Sequence, residues 1–302
     1  MLAAIRKHLA RIAVAALALL LLGSLALNVV IVQDLRVNAE PTPARSDFVA
    51  GKCSAPSLVG HWRFESLPDA VGDMAIDDSG YSNHARLEVA RLPLSRLRYS
   101  PPAQAAGIDG RAVEVSGRQW LGAGNSDCFT TERFTVAVWI WLDEVGNVPT
   151  IVGKSAWPHN GWWLMTTTRG IQADDRYLDL GVAWPGGTAH VQSGYQVPLR
   201  EWHHVVVTVD NLQREVQFFV DGKLVSRHTD VPRWHVNWDH ELVIGDYDGS
   251  ARWPWIGRID DLRFYNHVLS EADCVALYRA EDIGLNTPPQ KESRIQAIAP
   301  AS

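Results

Sequence analysis

The feature that most constrains the fold is a succession of short apolar runs, each ended by turn residues, from residue 58 to residue 280. Residues 177–183 alternate apolar and polar side chains, which is the period of a half-buried strand. Residues 134–142 are apolar on both faces, as in a central strand that is covered on two sides. Asp221-Gly222 separates two runs and indicates a hairpin turn. The pattern therefore predicts an all-β protein.

The predicted strands are 58–64, 111–115, 134–142, 150–152, 162–167, 177–183, 203–209, 215–220, 223–227, 241–245 and 258–265. Residues 270–280 form the one predicted helix of the body, with Ser270 as its N-cap. So many short strands with one short helix predict a single antiparallel two-sheet jelly-roll sandwich over 55–283, rather than two domains.

The N-terminal segment is predicted to lie outside this domain. Residues 12–32 carry no charge and follow Arg6, Lys7 and Arg11. As a helix, this stretch is long enough to cross a hydrocarbon core of about 30 Å. We therefore expect one transmembrane or signal helix within 1–33, which anchors an exported domain in the membrane. The alternative is secretion after cleavage near Ala39, where small residues resemble a signal-peptidase site.

Two further segments lack any periodicity. Residues 34–54 contain Pro41 and Pro43 and predict a flexible linker. Residues 284–302 contain Pro288-Pro289 and predict a disordered tail.

Charge and composition narrow the function. The chain has 28 Lys and Arg against 34 Asp and Glu, a net charge of −6, and this excludes a protein that tracks nucleic-acid phosphates. It also has 13 Trp, which require either a broad sheet core or surfaces on which a ligand stacks.

Several segments resemble a known family. Trp202-His203-His204-Val205 with Thr208-Val209-Asp210, and then Phe218-Phe219-Val220-Asp221-Gly222-Lys223, resemble the LamG-like domains of the concanavalin A-like lectin/glucanase superfamily. Segments 58–64, 77–85, 134–140 and 256–265 agree and follow in the family's order. The resemblance implies a jelly roll. Its members include lectins, pentraxins, adhesion modules, carbohydrate-binding modules and glycanases, so it leaves the function open.

The resemblance also implies two candidate calcium sites. Asp77 and Asn83 match the family's DxSGxxN pattern, and Asp260 lies on a last strand that runs beside the first in this family. Asp246 and Asp248 correspond in position to the acidic calcium loop of pentraxins. Oxygen ligands of these kinds suit Ca²⁺. The alternative is a pair of ordinary turns, in which the carboxylates bond their own backbone.

Three cysteines are available for a disulfide, which export would permit. In this family the strand after Cys128 and the strand before Cys274 are antiparallel neighbours, which brings both residues to one end of the sheet. Cys53 precedes the first strand and could reach the same end. We expect one bridge that includes Cys274 and one free thiol; three unpaired thiols are the alternative.

The family's glucanase pattern, E-x-D-x-(x)-E, is absent, so we predict no catalytic activity. Tryptophans in strand patterns are predicted to lie in the core or cover a sheet: Trp62, Trp120, Trp139, Trp141, Trp163 and Trp202. Others lie in connections and are candidates to line a carbohydrate site, together with an amide: Trp157, Trp184, Trp234, Trp253, Trp255 and Asn160. The alternative for each of these indoles is that its loop folds back and buries it. The prediction is a membrane-tethered glycan-binding module. A protein-binding or structural envelope module is the alternative, and a polysaccharide-degrading enzyme is a third reading.

Overall fold

The apolar runs form strands in the computed structural model, which describes residues 53, 55–90, 100–144, 148–156, 160–167, 176–234, 236 and 239–280. In chain order the strands are β1 (Leu58–Trp62), β2 (Met74–Ala75), β3 (Ala85–Val89), β4 (Ala103–Ala106), β5 (Arg111–Ser116), β6 (Gln119–Gly124), β7 (Arg133–Leu142), β8 (Thr150–Ala156), β9 (Asn160–Thr167), β10 (Tyr177–Trp184), β11 (Gly187–Gln196), β12 (Trp202–Asp210), β13 (Glu215–Val220), β14 (Lys223–His228), β15 (Leu242–Ile244) and β16 (Ile256–Tyr265). The helices are a short 3-10 turn, Asp127–Phe129, and α1 (Glu271–Tyr278).

The strands build two antiparallel sheets of eight strands each, within the described residues. The first sheet has the order β14-β13-β12-β7-β16-β5-β4, with β1 paired to β16. The second has the order β11-β10-β9-β8-β15-β6-β3-β2. The apolar side chains of both sheets form one main core, which includes Val136, Val138 and Ile140 of β7. The predicted two-sheet jelly roll is therefore confirmed.

Strand β7 shows why its sequence is apolar on both faces. It lies between β12 and β16 in the middle of the first sheet. Its inward side chains join the main core, and Ala137 on the other face joins a second cluster with Cys274 and Leu277 of α1. The helix thus covers part of the outer face of this sheet. Its N-terminus is fixed by a capping box, in which Ser270 and Asp273 each bond the other's backbone N–H.

Five strands escaped prediction: β2, β3, β4, β6 and β11. Strand β6 is buried along its whole length, but Gln119, Gly122 and Gly124 interrupt its apolar pattern. Strand β11 is an edge strand of the second sheet, and its sequence is mostly polar. Edge strands bury little surface, so alternation is a weak signal there. The Asp221-Gly222 turn is as predicted, with positive φ angles of 50° and 72°.

The predicted segments 1–33 and 284–302 lie outside the described residues, as does the linker 34–54 apart from Cys53. In the part of the chain that the structure describes, no helix has the length and apolarity to span a membrane.

The disulfide joins Cys53 to Cys128, with Cα atoms 5.2 Å apart. The expectation that Cys274 takes part in the bridge was wrong, since its thiol is free and buried. The physical reason is the first sheet itself. Cys128 packs in the main core between the sheets, whereas Cys274 lies under α1 on the outer face. A sheet separates the two thiols.

Loss of the bridge is expected to destabilise the protein. It closes a loop with a sequence separation of 75 residues, so Cys53→Ser should lower the free energy of unfolding by about 2–4 kcal/mol. Urea denaturation with and without reductant measures the effect, and Cys274→Ala is the control that keeps the bridge. An unchanged midpoint after reduction of the wild-type protein would contradict the assignment.

His204 is a buried imidazole beneath α1. Its ring lies 5.1 Å from Trp139 and 6.0 Å from Tyr278, measured between centroids, and its Nδ1 has no hydrogen-bond partner among the described residues. Burial lowers the pKa of His204 to about 4. The unfolded chain, with a pKa near 6.5, therefore binds the proton more readily than the folded protein does.

This difference predicts acid sensitivity. As the pH falls from 6.5 towards 4, protonation of His204 in the unfolded state should remove up to about 3 kcal/mol of stability. In His204→Phe this contribution is absent, so the variant should lose less stability between pH 7 and pH 4.5 in urea titrations. An equal loss in both proteins would show that other groups govern the acid transition.

Candidate functional site: a cleft at one end of the sandwich

A cleft of about 760 Å³ opens where several strands begin or end together. We call it the end cleft. Its volume lies within the range of sites for small ligands. The described residues that line it are Thr130, Thr131, Glu132, Arg133, Asn160, Pro185, Leu212, Val236, Asn266 and His267. These residues come from six separate segments of the chain, so only the folded sandwich brings them together.

Four buried aromatic side chains tie these walls to the core. We call Phe129, Phe134, Trp162 and Phe264 the aromatic layer. Phe134 stacks on Trp162 of the opposite sheet at 4.5 Å and on Phe264 at 5.5 Å, and Phe129 meets Phe264 edge-on at 5.2 Å. Each is within three residues of a cleft-lining residue in sequence. Pairs of aromatic rings have preferred geometries. The aromatic layer therefore fixes the positions of the neighbouring residues that line the cleft.

Asn211 joins two walls of the cleft. It is 1% exposed and follows β12. Its Nδ2 donates to Glu132 Oε2 and, at 3.0 Å, to the carbonyl of Trp234, whose N–H donates back to Asn211 Oδ1 at 3.3 Å. Because buried amides need such partners, this residue holds the loop that carries Val236 against the cleft. No sequence pattern singled out Asn211 or Glu132.

Two basic side chains of the cleft differ in their electrostatics. The Arg133 Nε lies 3.0 Å from Asp210 Oδ2 across the β7–β12 pair. Its charge is thus matched by a carboxylate on the neighbouring strand. Burial lowers the pKa of His267, so the imidazole is neutral at pH 7.

Asn160 is the predicted ligand residue that the structure places in the cleft wall. It begins β9, and its carbonyl accepts a 3.0 Å hydrogen bond from Ser155 Oγ. Its side-chain Oδ1 is buried and has no partner among the described residues. An unpaired buried acceptor costs about 1–3 kcal/mol. A half-turn of the amide exchanges its oxygen and nitrogen, so it can offer either group to a ligand.

The disulfide braces one wall of the cleft. Asn266 accepts from the N–H of Ser57 at 2.7 Å and donates to the carbonyls of Cys53 and Ala55 at 3.2 and 3.0 Å. Cys128, bonded to Cys53, lies two residues before the lining residue Thr130. The segment before β1 is therefore tied to two sides of the same cleft.

The candidate tryptophans do not form one rim. Trp234 and Trp255 are 5% and 0% exposed and belong to the main core, so their indole faces are not open to a ligand. Their selection as rim residues is corrected accordingly: both connections fold back over the sandwich and bury the indoles. Trp184 is half-buried, adjoins the lining residue Pro185 and packs on the core. Trp157 lies outside the described residues.

Trp253 lies away from the end cleft. It packs on a small cluster on the outer face of the second sheet, where Tyr247 lies 4.6 Å away and Trp163 lies 4.9 Å beyond Tyr247, between centroids. The carbonyl of Trp253 accepts a hydrogen bond from the N–H of Thr150, which begins β8. Asn160, in contrast, follows the other end of β8. Trp253 and the end cleft are therefore at opposite ends of the sandwich.

A surface that sequence reasoning missed crosses the outer face of the first sheet. Trp202, Trp141, Arg258 and Glu114 are cross-strand neighbours on β12, β7, β16 and β5, and we call them the tryptophan row. The two indoles lie 5.8 Å apart, and the Arg258 guanidinium lies 5.2 Å from the Trp141 ring. All four are partly exposed. The sequence pattern predicts that these side chains lie on one face of a sheet. It does not predict that α1 leaves this part of the face uncovered.

The Asp77 loop forms a closed turn. Asp77 Oδ1 accepts from the N–H groups of His61 and Ser79 at 2.8 and 2.9 Å. Its Oδ2 accepts from Ser79 Oγ and from the N–H of Asn83, both at 2.8 Å. Four donors saturate the carboxylate. Asn83 Nδ2 donates to the carbonyl of Val59, so this loop is bonded to β1. These contacts match the turn alternative, in which the carboxylate bonds its own loop.

The second acidic loop is similar. Asp246 is 0% exposed and accepts from the N–H groups of Ala251 and Trp253 at 2.9 and 3.3 Å, and burial raises its pKa. Asp248 accepts from the N–H and the hydroxyl of Ser250.

Asp260 is held by the β4–β5 connection rather than by the Asp77 loop. It accepts from the N–H groups of Ile108 and Asp261 at 2.9 and 2.7 Å. Burial raises its pKa to about 7, which disfavours the ionised form that a cation requires. Among the described ranges, no three His, Cys, Asp or Glu side chains are grouped to hold a metal.

A family model, Laminin_G_3, described as the concanavalin A-like lectin/glucanases superfamily, matches residues 116–274. This chain belongs to that superfamily. The fold and the resemblance inferred from the sequence are thereby confirmed. No curated protein matches the chain in sequence.

Solved structures share the fold at low identity. Domain 4 of AbnA, a GH43 extracellular arabinanase from Geobacillus stearothermophilus in complex with arabinotriose, is 17% identical with a TM-score of 0.57, covering 74% of this chain and 98% of that one. The receptor-binding domain of botulinum neurotoxin type G is 12% identical, TM-score 0.52, covering 74% and 51%. The binding domain of Paraclostridial Mosquitocidal Protein 1 is 15% identical, TM-score 0.51, covering 74% and 52%.

The hydrogen bonding of the acidic loops predicts that calcium does not support the fold. Addition of EDTA should leave the melting temperature unchanged, because the carboxylates are already bonded to their own loops. Asp77→Asn should lower the free energy of unfolding by about 1–3 kcal/mol, equally with and without calcium. A fall in melting temperature on chelation that added calcium reverses would instead establish a calcium site.

Proposed function

We propose that this protein is a non-catalytic, membrane-tethered module on the extracytoplasmic side, which binds carbohydrate in the end cleft. The observation that carries the proposal is the chemistry of the lining. Thr130, Thr131 and Asn160 line a cavity of about 760 Å³ and supply two hydroxyls and an amide, whose buried oxygen has no partner among the described residues. Such a set can donate to and accept from sugar hydroxyls.

Apolar contacts are available beside these polar groups. Pro185 and Leu212 are exposed side chains on the cleft wall, and Val236 is half-buried. Sugars present C–H faces as well as hydroxyls, so a site for them combines both kinds of contact. Trp184, next to Pro185, would extend the apolar side of the site.

The comparisons support the proposal at the level of the fold. The arabinanase domain is in complex with arabinotriose, and the two toxin domains are receptor-binding or binding domains. All three share the fold of this chain at 12–17% identity. A binding role is therefore consistent with how similar sandwiches are used.

A non-catalytic role is supported by the carboxylates. Glycosidases place two carboxyl groups on either side of the scissile bond. Among the described lining residues Glu132 is the one carboxylate, and it accepts a hydrogen bond from Asn211. A hydrolase would need a second acid within reach, so turnover of polysaccharide by the purified protein would overturn this part of the proposal.

The proposed location rests on two features. The Cys53–Cys128 bridge is typical of proteins in oxidising compartments. The uncharged residues 12–32 supply a membrane anchor or a signal, and cleavage near Ala39 would release the protein. N-terminal sequencing of the mature protein distinguishes these two outcomes.

A glycan array with the detergent-solubilised full chain tests the carbohydrate proposal. We expect a defined group of glycans to bind, and Asn160→Ala to weaken that binding by about tenfold, the equivalent of one lost hydrogen bond. Thr229→Ala, an exposed polar position outside the cleft, is the matched control. If no glycan on the array binds, the carbohydrate proposal is wrong.

A protein-binding role is the second candidate function, and the tryptophan row favours it. Trp and Arg are the side chains most often dominant at protein interfaces, and Trp202, Trp141 and Arg258 lie together, partly exposed, on the outer face of the first sheet. In this case Trp202→Ala should weaken co-purification with an envelope partner and leave glycan binding intact. The reverse result would assign the row to carbohydrate.

A further inference from the structure

The ionisable groups in the described part of the end cleft do not cancel. Its described lining contains Glu132, Arg133 and His267 as titratable side chains. The Arg133 guanidinium is paired with Asp210 at 3.0 Å, and Asp210 is held in turn by the N–H of Gln213 at 2.8 Å. This pair is neutral as a unit. His267 is also uncharged at pH 7, because burial lowers its pKa.

Glu132 is hydrogen-bonded to a neutral partner. Its Oε2 accepts from the amide of Asn211, which is a neutral donor. None of the ion pairs formed by the described residues includes Glu132, whose side chain is half-buried at the cleft. Within the described lining, Glu132 is therefore the one carboxylate that no ion pair matches. A partly buried charge is screened less by salt than an exposed one.

We propose that the end cleft selects uncharged sugars and rejects sugars that carry carboxylate, sulfate or phosphate groups, with Glu132 as the residue that determines this specificity. The inference rests on the proposed function, since it specifies the ligand class of the same cleft. A like charge about 5 Å away should weaken binding of an acidic sugar by roughly 4-fold to 100-fold, depending on the local dielectric.

The test compares neutral and acidic glycans on one array, with the full chain at low and at physiological salt. The wild-type protein should bind neutral glycans and discriminate against uronate-containing and sulfated ones. Glu132→Gln, which keeps an acceptor for Asn211, should reduce the ratio of acidic to neutral dissociation constants by at least 4-fold. Asp210→Asn should reduce it too, because Arg133 is then released towards the ligand. Thermal melting verifies that each variant folds.

The control is Glu201→Gln, which removes an exposed charge at the far end of β12 and should leave the ratio unchanged. Preferential binding of acidic glycans, or an unchanged ratio in Glu132→Gln, would overturn this inference and leave the carbohydrate proposal standing. No binding to any glycan would overturn both.

Discussion

The contact on which the candidate site depends is the aromatic layer between the two sheets. Phe134 of β7 stacks on Trp162 of β9 at 4.5 Å, and Phe264 of β16 stacks on Phe134 at 5.5 Å. These three strands deliver Arg133, Asn160 and the Asn266-His267 wall to one end of the sandwich. Close-packed interiors transmit small changes in side-chain volume, so the shape of the cleft is set by residues that do not line it.

The polar groups around the cleft are arranged so that their hydrogen bonds are made, rather than so that their charges balance. The side-chain amides of Asn211 and Asn266 form hydrogen bonds with backbone groups of other segments, and these bonds hold the cleft walls in place. The acidic loops at Asp77 and Asp246 do the same with their own turns. Asn160 differs from the other described lining residues, because its buried Oδ1 has no partner among the residues that the structure describes. Most buried polar groups are paired, and the proposed sugar ligand would supply the missing partner.

The fold was largely predictable, and the site was predictable only in part. Alternation located most strands, and β13 was predicted at its observed bounds. Polar β11 and glycine-interrupted β6 escaped because burial, not pattern, makes them strands. The structure places Asn160, a candidate from the sequence, in the cleft wall, whereas it buries the indoles of Trp234 and Trp255 in the main core. Their position beside loop residues gives no information on whether a connection points outwards or folds back.

The sequence by itself determined the class of fold, the central place of β7 and the Asp221-Gly222 hairpin, because alternation and turn chemistry are local properties. Tertiary structure decided which cysteines pair and which tryptophans remain exposed. Cys274 lies on one face of the first sheet and Cys128 on the other, a separation that no spacing along the chain reveals. Pairing and exposure depend on long-range packing, and packing is settled only when both sheets and α1 are in place.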